Sequence, residues 1–468
     1  MAVVCLGALT LIFGCAVFLK GGVEPDQWFL CVAAIGLTGA GFWIVTRRSD
    51  LAPPPSFCLR FLLAAFAGYC VFTLLPLPLE FVRLLSPVRA ELQDALEPVL
   101  GPIPRAPLSA VPAETLRFTI TVLAYIVVFL LVRELAGRWR ERPWIVVIPF
   151  LAVALLQAAL GLVQYHAAGV AVSTGTYVNR NHFSGLVEMA LPFAVMLGVA
   201  AVRRERVVSR SRSPAAPAIE ACIWLALATV LLLAILDSMS RMGFVAALAS
   251  FFVMGAVALG GRWRGARRWM PVGAVGCLVV AGFVFLPTDR LIERFAHIAG
   301  TEEITGDTRF QIWENTKALV ADYPVVGCGL GGYASVFHGY QEVAPMSLVD
   351  FAHNDYLQLL AELGLLGFPI LLLLAVRTFG RAFAAADLPA GDDSRYVGIA
   401  CVGSLTAIAL HSVVDFNLYI PANAMLFVWV AGLAEGLGMS APSRHRRKRS
   451  MPAYVDGAAV RLGPVSSG

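Results

Sequence analysis

Twelve apolar runs, each near the length that crosses a bilayer, constrain this chain more than anything else in it. They lie near residues 2–19, 28–46, 57–76, 113–132, 143–163, 183–201, 217–236, 242–260, 270–287, 357–376, 396–412 and 418–438. A helix needs about 20 apolar residues to span the hydrocarbon core. Of the 468 residues, 58% are apolar and 14% charged, where a soluble domain carries roughly a quarter charged. That much apolar surface cannot be hidden inside ordinary globular domains. At membrane depth each backbone polar group must be satisfied within the protein, which selects helices. The sequence therefore predicts an all-α polytopic membrane protein of about 12 transmembrane helices, with a long, partly helical loop over 288–352, and excludes a water-soluble enzyme. The first run starts at Met1 without a basic flank and reads as a plain helix. It resembles neither a removable signal peptide nor, despite Ile12-Phe13-Gly14-Cys15, a lipoprotein site. Eight of the nine cysteines fall in apolar runs and Cys328 in the long loop, so neither a disulfide framework nor a zinc-ligand spacing follows.

Charge sets the orientation. Alternate connections are basic: Arg47 and Arg48; Arg133 to Arg142; Arg203 to Arg212; Arg262 to Arg268; Arg377, Arg381 and Arg395; and the tail from Arg444 to Arg449. Counting Arg60 and Arg461, 25 of the 36 Lys and Arg residues fall on one side, which the positive-inside rule makes cytoplasmic together with both termini. Topology thus accounts for the basic tail, and no nucleic acid partner is expected. The opposite side receives 288–352, 77–112 and the short loops near 164–182, 237–241 and 412–417, and the unusual polar residues converge there.

Asn179-Arg180-Asn181-His182 sits at the outer end of a span, with Glu188 just inside it. One asparagine would cap the helix, but capping leaves Arg180, His182 and an intramembrane carboxylate unexplained, since ionisable groups at membrane depth are costly. Arg241 lies in the short connection Asp237-Ser-Met-Ser-Arg-Met-Gly243, where hydroxyls and a helix N-terminus suit an anion. A snorkelling anchor is the alternative. Arg309 and Trp313 share a helical face in the long loop; for Arg309 alone, a solvated face and a ligand contact are both open. The glycine-rich stretch from Asp322 to Gly332 has no βαβ unit around it, so it reads as a tight turn approaching a ligand or another loop rather than a dinucleotide fingerprint. His353, flanked by Asn354 and Asp355, stands at the membrane boundary, where its near-neutral pKa suits a general base. His411 and Asp415 stand at i, i+4 spacing, which reads as a hydrogen-bonded pair shaping the pocket rather than part of a metal site.

These segments, in this order over roughly residues 140–438, resemble the O-antigen ligase and polysaccharide polymerase superfamily of bacterial envelope proteins. The resemblance implies a GT-C-like, metal-independent glycosyltransferase without a cofactor, taking a glycan from an undecaprenyl-pyrophosphate carrier on the periplasmic face of the inner membrane. The acceptor would be the lipid A core or a lipid-linked repeat unit, or in some relatives a protein hydroxyl. It also implies that Arg241 and Arg309 match the family's essential arginines and His353 its essential histidine. Asn179, Arg180, Asn181, His182, Glu188, Trp313, Asn354, Asp355, His411 and Asp415 remain as substrate-binding candidates. The chain divides by expectation into N-terminal helices (1–140), a catalytic membrane domain (141–438) and a basic cytoplasmic tail (439–468). A secondary transporter or lipid-linked-sugar flippase is the reading from another class. Such proteins place ionisable groups near the midplane between repeated halves; here they cluster at one face and no repeat is visible.

The topology is checked by single-cysteine labelling of intact cells in a cysteine-free background. An impermeant reagent should label positions 300 and 340; labelling at 208 or 265 would invert the orientation.

Overall fold

Wherever the apolar runs fall in described segments, the chain is helical. The computed structural model describes residues 1–47, 51–208, 215–259, 306–342, 348–389 and 391–438; the span expected at 270–287 and the tail lie outside them. The helices are α1 (Ala2–Phe18), α2 (Pro25–Val45), α3 (Phe57–Phe72), α4 (Leu79–Leu85), α5 (Pro87–Leu100), α6 (Pro112–Arg138), α7 (Trp144–His166), α8 (Arg180–Val208), α9 (Ala215–Asp237), α10 (Arg241–Leu259), α11 (Gly306–Asp322), α12 (Tyr333–Phe337), α13 (Asp355–Ala386), α14 (Asp393–His411) and α15 (Pro421–Gly438). A two-residue antiparallel pairing of Leu77 with Ala106 and Pro78 with Arg105 is the sheet content among the described residues.

Seven of these helices, α2, α6, α7, α8, α9, α10 and α13, are long and apolar enough to cross a membrane. The apolar α1 and α3 are shorter. The last two, α14 and α15, are largely buried by their neighbours: α14 packs on α8, α10 and α13, and α15 packs on α6 and α13. One apolar core runs from Ala2 through Phe150, Phe193 and Trp429 to Leu437. It joins the N-terminal helices to the rest of the bundle.

The polar segments fold over one end. There α11, α12 and the glycine turn form a second small core around Ile312, Tyr323, Tyr333 and Phe337. The turn docks on α13 through main-chain bonds. Cys328 N donates to Ala361 O at 2.9 Å and Gly329 N to Glu362 O at 3.0 Å, while Leu365 N donates to Pro324 O at 2.9 Å. Both partners are shaped for this approach: α13 breaks at Gly364 (φ +59°), and Gly327 (φ +71°) lies so close to the Glu362 carbonyl that a Cβ would overlap it. Tyr69 Oη ties the joint, its one proton shared between Val326 O and Leu363 O at 2.8 and 2.6 Å. Of the two partners expected for this turn, ligand or loop, the kinked helix occupies the place.

Gly327→Ala must therefore adopt a left-handed backbone, which costs an L-residue about 1–2 kcal/mol, and must also push α13 away. It should lower the melting temperature in detergent. Gly68→Ala on α3, whose Cβ meets open space, should leave it unchanged or raise it slightly.

Candidate active site

Asp415 is the centre of the polar cluster. Helix α14 stops at His411 and the chain turns through 412–416 before a short 3-10 segment, Asn417–Tyr419. The turn buries Asp415, whose side chain is 1% exposed, under three charged or titratable groups. Its Oδ1 lies 3.4 Å from His182 Nε2 and 3.8 Å from His353 Nδ1, and its Oδ2 lies 3.9 Å from an Arg309 guanidinium nitrogen. Its own Oδ1 also accepts from Phe416 N at 2.8 Å. Burial by itself would drive this carboxyl up. The His182 and His353 imidazoles beside it, with His411 behind them, outweigh burial and hold it well below the usual carboxylate range.

Each member is positioned from a different element. His182 comes from the first turn of α8, where Asn179 Oδ1 accepts from Asn181 N at 2.7 Å and so acts as the helix cap. Arg309 comes from α11, which is tied down when Trp313 Nε1 donates to Ala352 O at 2.9 Å. His353 follows that carbonyl directly, in a left-handed conformation (φ +50°). Asn354 then caps α13, its Oδ1 accepting from Leu357 N at 3.0 Å. Asp355, fully buried, fastens the 412–418 turn. Its N donates to Ser412 O at 2.9 Å and to Asp415 O at 3.2 Å, and its Oδ2 accepts from Leu418 N at 3.2 Å.

One pairing differs from expectation. His411 and Asp415 do not bond to each other as an i, i+4 pair, because the helix that would supply that register ends at His411. His411 Nδ1 instead lies 3.0 Å from both Glu188 oxygens, with both side chains fully buried. Asn179 and Asn354 are engaged in capping, and Asn181 is half-buried in the first turn of α8.

The two remaining arginines open helices at the same end of the bundle. Arg180 begins α8 and is half-buried; Arg241 begins α10 and is exposed. Ser240 Oγ accepts from Gly243 N at 3.3 Å, and Gly243 lies directly against the Ser184 side chain. The helix start bearing Arg241 is thus seated on the segment of α8 that carries His182 and Glu188. Besides the imidazole nitrogens that face Asp415, three buried polar atoms without a hydrogen-bond partner gather in this region: Ser184 Oγ, Arg309 Nε and His411 Nε2. Buried polar groups are ordinarily paired, so such a concentration suits a polar ligand.

Sequence reasoning did not find the aromatic residues that hold the imidazoles. Phe416 stacks on Phe351 with centroids 4.0 Å apart and rings 2° from parallel. The His182 and His353 rings stand steeply to it, their centroids 4.5 and 4.9 Å from that of Phe416. Glu362 is a further unassigned centre: it accepts from Gly331 N at 2.7 Å, Tyr419 Oη at 2.8 Å and Tyr333 N at 3.3 Å, joining the glycine turn to the 3-10 segment. Only its position as an acidic residue inside a span signalled it.

Residues 225–372 match the O-antigen ligase family, and the resemblance found in the sequence holds over that region. No curated protein matches the chain. The matched stretch contains Arg241, Arg309, Trp313, His353, Asn354 and Asp355. His182, Glu188, His411 and Asp415 lie outside it and are brought to it by the fold.

A depressed carboxyl pKa means that the folded state holds the proton less tightly than the unfolded one. The stabilisation Asp415 carries is then present above the ordinary carboxylate value of about 4 and is lost as pH falls through the folded value. Thermal melts in detergent should show wild type losing stability on that acid limb. Asp415→Asn should be less stable at neutral pH and lack the Asp415 part of the limb.

Proposed function

We propose that this chain is a metal-independent glycosyltransferase that moves a glycan from an undecaprenyl-pyrophosphate carrier to a hydroxyl of the lipid A core or of another lipid-linked repeat unit. It would act at the periplasmic face of the bacterial inner membrane, with a GT-C-like membrane domain over 141–438. The observation that carries this reading is the convergence of His353, His182 and Arg309 on one buried carboxylate, Asp415. This happens at the end of the bundle where Arg180 and Arg241 open their helices.

The chemistry needs a base for the acceptor and positive charge for the leaving group. His353 Nδ1 faces Asp415, which favours the tautomer with the proton on Nδ1 and leaves Nε2 to accept. The acceptor oxygen attacks the anomeric carbon, its proton passes to His353, and the bond to the carrier oxygen breaks with its electron pair going to the diphosphate. Asp415 offsets the imidazolium that forms, as the carboxylate of a hydrolase triad does. Guanidinium forks match phosphate oxygens in pairs, and Arg241, Arg309 and Arg180 supply three of them.

Purified protein given lipid-linked donor and acceptor should stay active in EDTA; loss of activity restored by Mg²⁺ or Mn²⁺ would remove the arginine-held leaving group. His353→Ala should bind donor normally and transfer about 10²- to 10⁴-fold more slowly. Arg241→Lys keeps the charge but loses the fork, and should be severely impaired. Near-normal single-turnover transfer by folded His353→Ala would shift the base assignment to Glu188 or Asp415. Full activity of Arg241→Lys would leave Arg241 as a membrane anchor.

A further inference from the structure

Between α3 and α6 the chain forms a hairpin of two short helices, α4 and α5, closed at its base by the pairing of Leu77 with Ala106 and Pro78 with Arg105. Phe81 and Leu84 stand at i, i+3 on α4, and Leu92, Leu96 and Val99 at i, i+4, i+7 on α5, so each set shares one face of its helix. All five are exposed, Leu84 by 75% and Val99 by 82%. A second side of the hairpin is buried. There Arg89 Nε donates to Ser109 O and Arg89 Nη1 to Gln93 Oε1, each at 3.1 Å, and Ala90 joins Val82, Leu108 and Val326 in a small core. A third side is charged: Arg83 and Asp94 pair across the hairpin at 2.8 Å, and Glu91 beside them is exposed.

What meets the apolar face follows from its depth. Two contacts fasten the hairpin to the C-terminal end of α3: Ser109 N donates to Thr73 O at 3.0 Å, and Val326, from the hairpin's core, has its carbonyl 2.8 Å from the hydroxyl of Tyr69 in the last turn of α3. The 16 residues of α3 rise about 24 Å, less than the roughly 30 Å of a hydrocarbon core. Arg60, exposed in the first turn, anchors the start of the helix at one boundary, so the other end reaches no farther than the opposite one. Val71, Phe72 and Leu75 at that end are exposed apolar groups as well. The hairpin is thus held where an apolar helix runs out at the edge of the bilayer. Charge stands at the same end, in the Arg117–Glu114 pair on the first two turns of α6.

We infer that the α4–α5 hairpin is an interfacial element whose partner is the lipid surface of the leaflet on the Asp415 side, with Phe81, Leu84, Leu92, Leu96 and Val99 among the upper acyl chains and the Arg83–Asp94 side among head groups and water. An apolar stripe backed by a charged side is the pattern of helices that lie in the interface plane, and five large apolar side chains on two short helices form a patch that a water-facing loop would not keep open. The contact has a consequence for the outer segments. Ala110 N donates to Cys328 O at 2.9 Å and Val326 packs in the hairpin's core, so the lipid surface that seats the hairpin also sets the level of the glycine turn. The inference rests on exposure and depth, not on the transfer reaction.

The test uses the full chain, cysteine-free, reconstituted in phosphatidylcholine vesicles with one nitroxide label at a time on Leu84→Cys, Leu96→Cys, Val99→Cys or Glu91→Cys. All four side chains are exposed, so labelling should leave the melting temperature unchanged. Collision with oxygen, which concentrates in lipid, is compared with collision with a neutral nickel chelate, which stays in water. The oxygen-to-chelate ratio should be severalfold higher at 84, 96 and 99 than at 91, and the label at 96 should report a depth of about 5–10 Å into the boundary between head groups and acyl chains. Leu96→Glu should shift a label at 99 toward the chelate without changing the melt in detergent. Labels at 84 and 96 as open to the chelate as the label at 91 would place the face in water and overturn the inference. Labels there shielded from both quenchers would overturn it in favour of a second copy of the chain.

Discussion

A carboxylate withdrawn from solvent needs positive or donating groups within reach, and the arrangement around Asp415 follows from that need. Its three neighbours come from α8, α11 and the segment leading into α13. To satisfy one carboxylate, the bundle must bring these elements to the same point. The secondary ties serve the same end: Trp313 to Ala352 fixes α11 against His353, and Asp355 fixes the turn that carries Asp415. A buried ion cluster of this kind adds little net stability, because desolvation offsets much of the attraction. It does specify one geometry, and the proposed transfer would need one.

The second organising centre, Glu362, works by main-chain recognition. The glycine turn offers N–H groups to its carboxylate and to the α13 carbonyls, and the break at Gly364 is what exposes those carbonyls. The turn, the helix kink and Tyr419 form one joint, with Tyr419 also touching Phe351. Through Phe351 and Phe416 the joint reaches both imidazoles. The outer segments and the site are in this sense one packed unit seated on the bundle.

Hydropathy marked apolar runs that are helical wherever they fall in described residues, because the lipid solvent leaves the backbone few alternatives. It also marked His182, His353 and Asp415 as anomalies, since a titratable group in or beside an apolar run must have a reason, while Arg309 in the long loop is open, on sequence alone, between a solvated face and a ligand contact. Pairing was another matter. Glu188 and His411 are 223 residues apart, and no spacing rule reaches that far. The i, i+4 reading of His411 and Asp415 assumed that the helix continued, whereas it ends at His411. Phe351 and Phe416 carry no charge and sit among other apolar residues, so their part in holding the imidazoles has no signature in composition or period. Glu362 was visible as an acidic residue within a span, but its partners are main-chain groups, which a sequence does not distinguish.

The left-handed backbone at His353 sets stability against the proposed chemistry at a single residue. Few side chains tolerate φ near +50°, and glycine or asparagine would adopt it at lower cost than most. The conformation is held from both sides by Ala352, whose N donates to Gln358 Oε1 and whose O accepts from Trp313 Nε1, each at 2.9 Å. These clamps do not involve the imidazole, so they would persist whatever residue stood at 353. A chain selected for folding alone would drift toward glycine there. The histidine is what selection for activity would have to defend.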